Sequence, residues 1–223
     1  MVTIDEIIRS KRKSIALIVE RDGRLVVRAP RRVSQELIHT FVKEKENWII
    51  KKQLEFKSTH PKFTPKKFME GENFWYLGKL YPLTFGEHFK PRLFLDESFV
   101  LSRTSQPQAR TIFERWYREQ ARQVIVGRVD HYAAKYNFAY NQIKITSART
   151  RWGSCSTRGI LSFAWRLIMS PLDVVDYVVV HELVHLHEHN HSRGFWSGVE
   201  EIAPDYKEKV KWLKVNGYLL TLD

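Results

Sequence analysis

The chain has 223 residues, 43% hydrophobic and 28% charged, with a formal charge of +12; it is long enough for one large domain or two small ones around an ordinary core, and its composition reads as soluble and globular. No apolar run reaches about 18 residues, which excludes a spanning helix, and the opening MVTIDEIIRSKRKS lacks the apolar segment expected of a secretory signal. The lone cysteine, Cys155, excludes an internal disulfide and a cysteine-rich zinc site, and it fits a reducing cytoplasm.

In chain order, SIALIVERDGRLVVRAP places two apolar runs around Asp22-Gly23, a hairpin pattern. SQELIHTFVKEKENWIIKKQLEF follows as one helix capped by Ser34, with Leu37, Ile38, Phe41, Val42, Trp48, Ile49 and Leu54 at helical spacing. ENFWYLGKLYPLTF and RLFLDESFVLS read as strands, the first with a turn at Gly78-Lys79. Up to residue 103 the bases outnumber the acids by 21 to 13, so this half carries most of the net charge. The polar, proline-containing RTSQPQA marks a boundary between a β-rich N-terminal domain with one helix (1–105) and a second domain (106–223).

In the second domain RTIFERWYREQARQVIVGRVDHYAAKY has the pattern of a long amphipathic helix. NQIKITSARTRWGSC and GILSFAWRLI read as paired strands joined by a turn at 156–159. In MSPLDVVDYVVVHELVHLHEH, Ser170 is the expected N-cap, Pro171 the first helical position and Asp173 part of a box-like start. The run Val178-Val179-Val180 favours a strand by propensity, but the start signals and the length favour a helix. A helix apolar on nearly all sides belongs in the interior. The fold class is α+β.

HELVHLHEHNH, residues 181–191, holds five of the chain's nine histidines. On a helix, His181 and His185 lie about 40° apart and share a face, where two neutral imidazoles reach one Zn2+ at about 2.0–2.1 Å. Glu182 lies about 100° round from His181. It stands beside the metal without ligating it, placed to take a proton from water there: the H-E-x-x-H arrangement of zinc hydrolases. A catalytic zinc takes a third protein ligand from another segment. His191 is favoured, swung back by a turn in which Asn190 ends the helix in the left-handed conformation; Glu200 or Glu201 on the next helical stretch is the alternative.

Glu188 falls on the ligand face, where it would orient a ligand; His187 and His189 fall on other faces. Arg151 and Trp152 in RTRWGSCS are the candidate substrate contacts. An edge strand there would pair with an extended peptide, and Arg149 or Arg151 would hold a phosphate or carboxylate. Trp152 reads more readily as core than as a stacking platform, and Cys155 as a small packed residue. Phe195 and Trp196 are expected to pack under the histidine helix. Arg193, His189 and Tyr177 are the candidates for stabilising an oxyanion, and none stands out.

RTRWGSCSTRG followed by WRLIMSPLDVVDYVVVHELVHLHEHNHSRGFW resembles the YgjP-like metal-dependent hydrolases, a group placed with the SprT-like zinc metallopeptidases. VRAP and WIIKK, earlier in the chain, resemble the family too. The resemblance implies a zincin-like metallopeptidase domain, with the active-site helix under a small sheet. It implies His181, His185 and His191 as zinc ligands and Glu182 as the catalytic base. One departure is Ala164, where many relatives carry an asparagine before W-R-L.

The expected function is therefore zinc-dependent hydrolysis, with a peptide or protein as the favoured substrate. The alternatives are a zinc-dependent nucleotide pyrophosphatase or phosphohydrolase, or a nucleic-acid-associated protein that keeps a zincin shell and binds through its basic surface. The presence of Glu182 argues against a shell without turnover. No membrane partner is expected, and the location expected is cytoplasmic.

Overall fold

The computed structural model describes residues 2–19, 23–59 (backbone only from 55), 65–87 and 90–222. The chain divides into two compact units, Met1–Thr64 and Pro65–Asp223. In the first, β1 (Glu6–Ser10), β2 (Ala16–Val19) and β3 (Leu25–Pro30) form a sheet ordered β1-β3-β2, with β1 parallel and β2 antiparallel to β3. Val19 pairs with Leu25, as the expected hairpin requires; Asp22, half of its expected turn, lies outside the described residues. Leu25, Val27 and Ala29 alternate along β3. They meet Ile38 and Val42 of α1 (Gln35–Glu44) and Ile49 of α2 (Glu46–Thr59) in a small core.

Ser34 caps α1 as expected, accepting from the Leu37 amide at 3.2 Å. The single helix expected here is two, however, because the backbone leaves the helix at Lys45 (φ −100°, ψ 10°). Periodicity is blind to this break. Ile49 lies a heptad beyond Val42, so an unbroken helix would put both on the same face.

In the second unit β4 (Asn73–Tyr76), β5 (Lys79–Gly86), β6 (Leu93–Leu95) and β7 (Phe99–Ser102) form a sheet ordered β4-β5-β7-β6. The β4–β5 turn sits at Leu77-Gly78, one residue before the expected place, with φ of 45° and 77°, the positive pair that a two-residue hairpin turn uses. The polar stretch expected as a domain boundary near 105 lies inside this unit. Residues 103–108 form a short 3-10 turn that leads directly into α3 (Ala109–Tyr136). Phe74 and Phe99 pack on Phe113 of α3, with ring centres 4.4 and 5.1 Å apart. The polarity and the proline of this stretch mark a turn between packed elements.

α3 buries Ala109, Phe113, Tyr117, Ala121, Ile125, Val129 and Ala133. A four-residue step turns a helix by about 40°, so this stripe winds round it. Its first turns face the β4–β7 sheet, and later turns run beside α4 (Leu172–Val184), where Arg128 grips Asp176 with bonds of 2.5 and 2.7 Å. β8 (Gln142–Thr146), β9 (Gly153–Cys155) and β10 (Ile160–Ala164) form a second sheet ordered β8-β10-β9. β9 and β10 are antiparallel, as expected, and β8 runs parallel to β10. Among the described residues β9 pairs with β10 alone, which makes β9 an edge.

α4 is packed by α3, β9, α5 (Arg193–Ile202) and α6 (Tyr206–Asn216). Nine of its thirteen residues are buried, including all of 178–180. Surroundings on every side thus override the strand preference of the valine run. Ser170 does not cap this helix. Its hydroxyl donates to the Leu167 carbonyl at 2.7 Å, and the Pro171 carbonyl accepts from Val174 and Val175 at 3.0 and 3.1 Å. The architecture is α+β, as expected. No helix among the described residues is long and apolar enough to cross a membrane.

Candidate metal centre

α4 ends at Val184, with His185 as its C-cap. His181 and His185 lie on its last turn, their ring centres 4.9 Å apart. The chain then turns, and a chain of local bonds fixes the return. Asn190 Oδ1 accepts from the Ser192 amide at 3.0 Å, and Ser192 Oγ accepts from the Phe195 amide at 3.3 Å. His191 is held between these two residues, immediately before the N-cap of α5. Asn190 does not take the left-handed conformation expected of it. Its side chain makes an Asx-type turn instead.

The side-chain nitrogens of His181, His185 and His191 lie within 4.8 Å of one another, the only such metal-ligating group found among the described residues. Glu200 and Glu201 are not part of it; Glu200 pairs with Lys207 at 3.3 Å. His185 Nδ1 is 2.8 Å from the Glu188 carbonyl. A carbonyl only accepts, so this Nδ1 carries the proton and Nε2 keeps its lone pair. Tyr177 Oη lies 3.4 Å from His181 Nδ1 and leaves the Nε2 of that ring free as well. The Nε2 atoms of His181 and His191 face each other at 3.2 Å. Two lone pairs in that position need a proton or a cation between them, and tetrahedral zinc ligands stand about 3.3 Å apart. His191 is exposed and His181 and His185 are partly so, which leaves the wider spacing free to close by ring rotation. The donor set fits a metal ion.

Phe195 lies under all three rings. It is fully buried, with ring centres 4.3 Å from His185 and 4.8 Å from both His181 and His191. Trp196 stacks on His191 at 5.7 Å. Burial, with His185 and His191 nearby, pushes the pKa of His181 down to about 3, and burial also lowers that of His185. Both imidazoles are therefore held neutral, the form that ligates.

Glu182 is 4% exposed, and its Oε2 has no hydrogen-bond partner. Burial raises its pKa to about 8, against the pull of Arg151. Its carboxylate lies against Gly153 of β9. Burial and the charge of Glu182 raise the pKa of the Cys155 thiol. Gly153 and Cys155 are two apart, so both sit on the sheet face toward α4.

Residues 13–216 match the family described as YgjP-like, metallopeptidase domain. The chain belongs to this family. Among solved structures, the metallopeptidase zymogen abylysin of Pyrococcus abyssi is similar over 40% of this chain and 92% of its own, at 20% identity and a TM-score of 0.37. No curated protein matches.

In this YgjP-like chain the other expected site residues fall out as follows. Arg151 is exposed and near enough to Glu182 to act on its charge. Trp152 packs inward, its Cζ2 2.9 Å from where a Cβ on Gly217 would stand, and its carbonyl accepts from the Ala164 amide at 2.8 Å. Glu188 meets the cluster through its main-chain carbonyl, while its carboxylate accepts from the Ser192 hydroxyl at 3.4 Å. His187 turns to Phe138, 5.2 Å between ring centres. Sequence reasoning missed Gly153 and the bracing role of Tyr177. A tyrosine four residues before His181, on the same helix face, was the available signal.

Proposed function

We propose that this protein is a zinc-dependent peptidase in which His181, His185 and His191 hold the metal and Glu182 is the general base. The observation that carries the reading is three imidazoles that converge at the end of α4, where Glu182, the residue after His181, is buried with an unpartnered oxygen. A zinc ion supplies a Lewis acid that polarises a carbonyl and makes water acidic near neutral pH. Three imidazoles favour zinc over harder divalent ions.

The chain's own groups do the rest. The Glu188 carbonyl and Tyr177 orient the rings of His185 and His181 from behind. Glu182 takes a proton from the attacking water and returns it to the leaving amine. Burial raises its pKa above the ordinary carboxylate range in the metal-free chain, which suits a group that must later return the proton. The unpaired edge of β9 lets an extended peptide add as a further strand beside Glu182. Arg151, two residues before that strand, binds a carboxylate or carbonyl of the substrate.

The test is zinc content and peptide hydrolysis of the wild type beside His191→Ala, Glu201→Ala and Glu182→Gln. About one zinc per chain is expected in all but His191→Ala, with hydrolysis lost in Glu182→Gln. Full cleavage by Glu182→Gln overturns the mechanism. Hydrolysis of nucleotides with peptides untouched overturns the substrate class.

A further inference from the structure

Trp196 of α5 and Tyr206, Lys207 and Val210 of α6 line an open surface cavity of about 240 Å3. It lies one aromatic ring from the histidine cluster. Trp196 stacks on His191 (5.7 Å between ring centres, 28° between planes) and on Tyr206 (5.3 Å, 19°). Tyr206 stacks in turn on Tyr177 (6.4 Å, 21°), whose hydroxyl meets His181. The rings that wall the cavity are thus the rings that support the histidines.

We propose that this cavity is a substrate subsite that takes one bulky apolar side chain, aromatic or long aliphatic, of the peptide cleaved at the histidine cluster. The proposal rests on the peptidase reading. Size points to a single side chain, because pockets for drug-sized ligands run from about 300 to 1,000 Å3. Chemistry points to an apolar one. The lining is mostly apolar, and the one charged group, Lys207, already pairs with Glu200 at 3.3 Å and lies 5.4 Å over the Tyr206 ring. Trp196 and Tyr206 offer aromatic surface to an incoming ring. Trp196 is held between His191 and Tyr206, so the wall is set before substrate arrives.

Position fits as well. An extended chain advances about 3.3 Å per residue. A side chain lodged one ring beyond His191 therefore belongs to a residue one to three places from the cleaved bond.

The test uses the zinc-loaded full chain and two readouts. The first is the indole N–H signal of Trp196 by NMR during titration with acetyl-phenylalaninamide, acetyl-glycinamide and acetyl-aspartamide. The second is kcat/KM for peptides that differ at one flanking position. The phenylalanine amide alone is expected to shift the Trp196 signal. A phenylalanine peptide is expected to be cleaved at least about tenfold faster than its glycine counterpart, the lower end of what one side chain in an apolar pocket gives. Val210→Phe, which fills the cavity, should abolish the shift and bring the ratio to within about twofold. Val210→Ala, which enlarges it, should move the preference toward tryptophan, and this arm stands if Val210→Phe does not fold.

No shift at Trp196, or an unchanged ranking of peptides in either Val210 variant, overturns the subsite. A shift that Val210→Phe abolishes, with no peptide cleaved, upholds the apolar side-chain site and overturns the peptidase reading alone.

Discussion

Gly153 of β9 stands against the carboxylate of Glu182 so closely that a Cβ at 153 would lie 2.6 Å from its Cγ and 2.7 Å from its Cδ, and nearer still to Oε1. No real Cβ tolerates that, so either Glu182 or β9 must move. The three histidines belong to α4 and the following turn, so they need not move with it. Gly153→Ala is therefore expected to keep zinc and to lose activity by about 100-fold, the order that an ångström of misplacement costs. Zinc content and kcat/KM on one peptide check this. Full activity in Gly153→Ala would mean that the carboxylate works from somewhere else.

The parts of the site visible in the sequence are the local ones. A four-residue offset on a helix brings His181 and His185 together whatever surrounds them, and a turn at Asn190 was expected too, although a side-chain bond to the Ser192 amide takes the place of the expected left-handed backbone. What was not visible depends on packing between distant segments. Gly153 meets Glu182 only because β9 crosses α4; Phe195 was expected under the histidine helix, but its contact with all three imidazoles depends on how α5 folds back. The fold shows the same division. Helix and strand types follow from periodicity, while the break at Lys45 hides behind an apolar heptad. The polar stretch near 105 looked like a boundary because nothing in it tells that Phe74 and Phe99 cover the start of α3.

Tyr177 is placed to brace the proposed metal centre, since its hydroxyl lies on the Nδ1 side of His181 at 3.4 Å. Removing such a partner from a metal-ligating histidine weakens metal binding by about 10- to 100-fold. Tyr177→Phe is expected at the low end, about tenfold, because the bond is long. Competition with a chelator of known affinity measures it. Unchanged zinc affinity would leave Tyr177 as no more than a wall of the aromatic stack.

The metal-free protein should have a stability optimum in mildly acidic solution. His181 is held near 3 in the folded chain and titrates near 6.5 when unfolded. The unfolded state therefore binds more protons between those values, and stability rises with pH through that window. Glu182 acts in the opposite sense. Its pKa is about 8 when folded against 4.5 when free, so the folded state binds more protons, and stability falls as pH rises from 4.5 to 8. The two slopes oppose each other between 4.5 and 6.5. Above 6.5 the Glu182 slope stands alone, at up to about 1.4 kcal/mol per pH unit. Urea unfolding of chelator-treated protein at several pH values should show that loss, and Glu182→Gln should flatten it. An alkaline limb that persists in Glu182→Gln would assign it to another group.

Phe195 is placed to support both the fold and the proposed metal site. Its side chain is fully buried, with ring centres 4.3 to 4.8 Å from the three imidazoles. Phe195→Ala removes a ring from a packed interior, a change that costs about 3–5 kcal/mol. It also removes the surface against which the histidines are set. Phe195→Leu keeps most of the apolar volume and loses the flat face that stacks on His185 at 29°. The alanine variant is expected to lose several kcal/mol in urea unfolding and to bind zinc weakly. The leucine variant should keep most of the stability and still lose zinc affinity, because volume supports the core while the flat ring orients the imidazoles. If zinc affinity in the leucine variant matches the wild type, Phe195 is a core residue that happens to lie beneath the site.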